Sequence, residues 1–152
     1  MIKNPEITIL THDARWKGLA PTVRRAVEAA LTKQKQKKVA LAIVLSHDVE
    51  VQTLNRDYRK KDKPTNVLSF PDGSVEEGVR QLGDIILAYD IIAREAAEQQ
   101  KPIKAHITHL TIHGVLHLLG FDHETEKEAA VMESIEISVL KRMGIANPYE
   151  SS

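Results

Sequence analysis

The segment HGVLHLLGFDH, His113 to His123, places three of the chain's seven histidines within eleven residues, four and then six apart. On a helix, residues four apart stand one above the other, about 6 Å along the axis. His113 and His117 can therefore aim their imidazoles at one ion. Zinc accepts nitrogen at roughly 2.0–2.1 Å in a tetrahedral shell, which two such rings supply without distorting the helix. A third ligand six residues on would lie on the opposite side, so the helix must break first. Gly120 is placed to break it, because glycine takes the left-handed conformation at a helix end at low cost. The chain then returns His123 to the same ion.

This H-x-x-x-H-x-x-G-x-x-H spacing is that of the metzincin zinc proteases, without their glutamate. In that pattern the glutamate after the first histidine is the general base. Here the place is Gly114, so the metal scaffold is kept and the protease base is gone. Three neutral nitrogens leave a metal its full charge and one open position, where water is acidified towards a pKa of about 7. That is the composition of a hydrolytic site. His106 and His109 share the helical stripe of His113 and His117, all four within an arc of roughly 80°. They suit helix packing or hydrogen bonding to ligands better than ligation. Asp122 suits a loop anchor, although His109, Asp122 or a neighbouring chain stay open as sources of a fourth ligand. Three histidines also accept nickel, cobalt or copper as well as zinc.

The elements that must position these groups are legible from pattern. Glu6 to Leu10 alternates and is β-branched, a first strand, and Val39 to Ser46 is a nearly continuous apolar run, a central buried strand. Between them Pro21 opens a helix whose apolar residues Val23, Val27, Ala30 and Leu31 recur at helical spacing. A shorter helix runs from about Asp48 to Tyr58. Val67 to Phe70 and Leu82 to Ala88 form a hairpin-like pair with a long connection, turned by Pro71-Asp72-Gly73 and read as loop up to Gln81. Asp90 to Gln100 is helical, Pro102 opens the histidine helix to about Leu119, and Thr125 with Glu128 caps a last helix. The expectation is an α+β fold in a single domain over residues 1–152. It has about four strands in a mixed sheet, about five helices and a metzincin-like metal helix.

The 152 residues suffice to bury about 68–70% of the unfolded surface. There are no cysteines, which excludes thiolate metal sites, disulfides and cysteine nucleophiles. The N-terminal stretch lacks the design of a signal peptide, and no apolar run approaches the roughly 20 residues of a membrane span. A soluble cytoplasmic protein is expected, with no membrane partner. The formal charge is zero, from 21 basic and 21 acidic residues, but their distribution is uneven. Lys33 to Lys38 and Arg56 to Lys63 are basic, whereas Glu124 to Glu136 is acidic, so one face can suit a polyanion.

NRDYRKKDKPTNVLSFP (Asn55 to Pro71), LGDI (Leu82 to Ile85), the block from His106 to His123 and the closing MGIANPY together resemble the YbeY family of bacterial endoribonucleases, from Ile7 to Tyr149. The resemblance implies a metal-dependent, single-strand-specific endoribonuclease of late-stage 16S rRNA maturation and ribosome quality control. Its substrate would be single-stranded RNA, and its partners the ribosome or small-subunit assembly factors. The family's metal histidines fall on His113, His117 and His123, for one Zn2+ per chain, and its functional arginine on Arg59. Two positions depart from the family pattern: Asn66 stands where PTDVLSFP has aspartate, and Phe121 where GYDH has tyrosine.

Arg59 also fits from chemistry, since a guanidinium fork can clamp two oxygens of a phosphoryl group gaining negative charge. Lys60, Lys61 and Lys63 would extend that path. Asp84 reads as a strand-end structural carboxylate, and no residue stands out as general base. Two other readings compete. One is a metal-dependent peptidase or amidase with another base, and the other a ribosome-assembly factor whose metal is mainly structural.

Overall fold

The computed structural model describes residues 5–150. Five strands and five helices follow the chain as β1 (Glu6–Thr11), α1 (Ala20–Lys33), β2 (Val39–Ser46), α2 (Asp48–Arg59), β3 (Val67–Pro71), β4 (Val75–Glu76), β5 (Val79–Ala88), α3 (Tyr89–Glu98), α4 (Ile103–Leu118) and α5 (Glu126–Arg142). The sheet order is β1-β2-β5-β3, with β4 paired to β5. β1, β2 and β5 run parallel, while β3 and β4 run antiparallel to β5, so the sheet is mixed. The expected α+β class and five helices are present.

The fifth strand lies in the segment expected to be loop. Glu77 and Gly78, with φ of 51° and 80°, make a two-residue turn that pairs Val75 with Arg80 and Glu76 with Val79. Positive φ at both central residues matches the right-handed twist of a hairpin. Glu-Gly advertises this turn less plainly than Asn-Gly or Asp-Gly, and the strand after it begins at Val79 rather than Leu82. A single 3-10 turn, Ala14–Trp16, also went without a sequence signal. Its Trp16 is buried, donates from Nε1 to the Ser46 carbonyl at 2.8 Å and packs edge-on against Tyr89.

The main core lies on one face of the sheet. α1 contributes Val23, Ala26, Val27, Ala30 and Leu31, a stripe at helical period. α4 is buried almost all round, with Ile107, Ile112, Val115 and Leu116 fully enclosed between β3, β5 and the neighbouring helices. A smaller cluster of Val51, Leu68, Ile86 and Ala88 sits under α2 on the opposite face. Two close approaches fix α4 and β3 relative to β5. At Gly114, an added Cβ would lie 3.1 Å from Ile85 Cγ2, so the helix rides directly on the strand. At Gly83, which follows a bulge at Leu82 and has φ +127°, a Cβ would fall 2.1 Å from the Phe70 carbonyl oxygen. Only glycine lets β3 pair there.

Candidate metal centre and cleft

α4 ends where the third histidine needs it to end. Gly120, at φ +102°, donates its N–H to the His117 carbonyl at 3.0 Å, and Phe121 donates to the Leu116 carbonyl at 3.0 Å. These two bonds are the Schellman arrangement, which satisfies the last carbonyls and reverses the chain. Asp122 accepts the His123 N–H at 2.8 Å and so anchors the returning loop. Thr125 and Glu128 then cap α5 reciprocally.

His113, His117 and His123 come together, each offering one ring nitrogen within 4.8 Å of the others. Nε2 of His113 and Nε2 of His117 are 3.1 Å apart. Tetrahedral ligation at about 2.0–2.1 Å separates ligand nitrogens by roughly 3.3 Å, so the pair already has nearly that spacing. Burial, with the neighbouring His113 and His123, holds the His117 pKa below its ordinary value. Its imidazole is therefore neutral at pH 7, as a ligand must be. The donor set fits a divalent ion.

Behind the three histidines lies Glu136 of α5, whose side chain is fully buried. Its Oε2 is 2.7 Å from Nδ1 of His113, and its Oε1 is 2.7 Å from Nε2 of His109. The Tyr149 hydroxyl also donates to Oε1. Burial alone would raise this carboxyl's pKa, but the hydrogen bonds from His109, His113 and Tyr149 outweigh it and hold the value at about 2. An ionised carboxylate only accepts, so each imidazole donates. His113 is thereby fixed with its proton on Nδ1 and its Nε2 lone pair turned to His117. Glu136 was not singled out in the sequence, where it closes the acidic run from Glu124. The signal was its position inside the apolar stripe Met132, Ile135, Val139, Leu140 and Met143: a charge there is buried and must be paired.

His109 thus supports Glu136, while His106 hydrogen-bonds to Glu95 of α3 at 2.8 Å. Neither belongs to the three-histidine group. Asn66 donates to the same Glu95 at 3.1 Å, so the amide that departs from the family pattern joins β3 to α3. Asp84 lies on the other face of the sheet, beside Ala42 and Phe70.

The histidines form one wall of a cleft of about 620 Å³. The other wall is the basic loop and β3, and it includes Arg59, Lys61, Asn66 and Ser69. Arg59 is the last residue of α2, and Lys60 takes a left-handed conformation to turn the chain. Buried Asn55 donates to the Lys63 carbonyl at 2.9 Å and pins the loop. Arg59 Nη2 donates to the Ser69 carbonyl at 2.7 Å, which leaves the rest of its guanidinium facing the cleft.

β3 is the outer strand of the sheet. Asn66 accepts from Ala88 and Asp72 donates to Leu82, so the even residues bond β5 and the odd ones turn their backbone outward. Of those, Ser69 has its carbonyl taken by Arg59, and Pro71 has no N–H. This edge is blunted against pairing with an added strand.

A family profile described as endoribonuclease YbeY matches residues 6–144. A Nitrobacter hamburgensis protein named endoribonuclease YbeY is 46% identical over 140 residues, covering 87% of this chain and 74% of the relative. One of the same name from Azorhizobium caulinodans is 41% identical over 152 residues, covering 95% and 96%. The solution structure of a Thermotoga maritima protein superimposes with a TM-score of 0.60 at 24% identity, over 95% of this chain and 99% of that one, a likeness of fold. By the profile and by these relatives, the chain belongs to the YbeY family of endoribonucleases.

Proposed function

We propose that residues 1–152 form one metal-dependent, single-strand-specific endoribonuclease domain. In this reading His113, His117 and His123 hold a single Zn2+, and Arg59 clamps the phosphate of the bond to be hydrolysed. The observation that carries it is the cleft itself, with three convergent imidazoles on one wall and Arg59 on the other. Membership of an endoribonuclease family supports RNA as the substrate. When bound, a divalent ion with an open position supplies acidified water and draws charge from the phosphoryl group. The chain's own residues prepare that reaction. Glu136 holds the His113 ring, the neutral His117 presents a lone pair, and Arg59 meets developing negative charge with donors already oriented by Ser69. A role in late-stage 16S rRNA maturation and ribosome quality control, in the cytoplasm and with small-subunit partners, rests on family membership.

A peptidase reading fits poorly. Position 114 faces Ile85 on the sheet, where even a Cβ would need the isoleucine side chain to give by a few tenths of an ångström, and the edge of β3 offers a peptide few free backbone groups. The decisive experiment compares cleavage of a labelled single-stranded RNA by protein of measured metal content with that by His117→Ala and Arg59→Ala. We expect His117→Ala to lose metal and cleavage together. Arg59→Ala should keep its metal and cut roughly 10²–10³-fold more slowly, the usual cost of losing one transition-state donor. If all three preparations cut alike, the activity is a contaminant and the assembly-factor reading replaces this one.

A further inference from the structure

Tyr58, one residue before Arg59, is 70% exposed although it is one of only three tyrosines. Its ring does not pack flat on the protein. It stands nearly perpendicular to Phe70, with centroids 5.7 Å apart and planes at 71°, and at 70% exposure most of the tyrosine ring is open to solvent. The guanidinium of Arg59 lies 5.8 Å from the same Phe70 ring. Phe70 therefore braces both groups: the arginine that lines the cleft and the aromatic ring just outside it. Lys60, Lys61 and Lys63 follow directly in the chain and are all exposed. A cation beside an exposed aromatic face, on a basic loop, has the composition of a single-strand nucleic-acid platform. The phosphate meets the cation and the adjoining base meets the ring.

Resting on the endoribonuclease reading, we propose that Tyr58 is a specificity-determining residue that stacks a base next to the phosphate held by Arg59. Every base has a π-face, so such a contact tolerates any sequence. It does not tolerate a duplex, because a paired base is already stacked on its neighbours and has no free face to offer. Strand selectivity then arises at Tyr58 rather than at the metal.

The test measures binding of a fluorescein-labelled single-stranded oligoadenylate, and of the same strand annealed to its complement, to metal-loaded protein. Tyr58→Ala should weaken single-strand binding by about 5- to 100-fold, the range for loss of one stacked base. The loss should appear in KM with kcat largely kept, and duplex binding should stay unchanged. Tyr58→Phe keeps the ring and should bind as the parent does. Tyr58→Trp should lose fluorescence when the oligomer is added, while buried Trp16 is shielded from it. Unchanged single-strand affinity in Tyr58→Ala, or equal loss for single strand and duplex, would overturn the stacking role and leave the endoribonuclease reading intact. If the parent protein itself binds no single-stranded RNA, both fall together.

Discussion

Glu136 holds two imidazoles and a phenol on two oxygens inside the protein. A buried carboxylate is costly unless its acceptor sites are filled, and here His109, His113 and Tyr149 fill them. Glutamine at this position has one acceptor oxygen and one NH2 donor. Whichever imidazole meets the NH2 must give up its proton there, and if that is His113, its proton moves to Nε2 and blocks the lone pair. Glu136→Gln should therefore lower metal affinity by about 10–100-fold, as loss of an orienting carboxylate usually does. Competition against a chromophoric chelator measures this directly, and an affinity equal to the parent's would reduce Glu136 to packing. The three histidines were legible in the sequence because a helix, a glycine break and a returning imidazole leave a fixed spacing. Glu136 showed only as a charge inside an apolar stripe, and its bonds to His113, His109 and Tyr149 did not show at all, because they run between distant segments and carry no spacing of their own.

At the scale of elements, the cleft depends on how β3 sits against β5. The bulge at Leu82 and the close approach at Gly83 set that pairing, and they bring Ser69 to where Arg59 can bond its carbonyl. An alanine at 83 would drive its methyl into the Phe70 carbonyl oxygen and would also have to adopt φ +127°. Gly83→Ala should cost roughly 3 kcal/mol in urea unfolding, at the upper end of the usual cost of overpacking. The histidines ride on α4 and the loop after it, so metal binding should survive in the folded fraction while RNA cleavage falls with the displaced Arg59. Loss of metal affinity as well would mean that β3 and α4 move as one unit. The sequence marked both strands as short apolar segments on either side of Pro71-Asp72-Gly73, and the hairpin-like connection between them implied their antiparallel pairing. It hid the bulge, since Leu82-Gly83 reads equally well as the start of a regular strand.

For the whole molecule, a formal charge of zero rules out broad attraction to a polyanion, so any grip on RNA must be local. Arg59 and Lys61 line the cleft, Lys60 and Lys63 adjoin it, and Asp122 and Glu124 stand at the opposite rim. With four cations, of which Arg59 and Lys61 line the cleft, such a surface would neutralise about two to four phosphates. Each phosphate contact on a single strand contributes about −0.7 to the slope of log K against log salt concentration, so the slope should lie between about −1.4 and −2.8. Fluorescence anisotropy of a labelled single strand from low to moderate KCl measures it. Lys61→Gln should flatten the line by roughly one phosphate's worth, and it should weaken all sequences alike, because a phosphate contact carries no base information. A much steeper slope would mean that the RNA path runs beyond the cleft, with Lys33 to Lys38 the next basic segment to test by substitution.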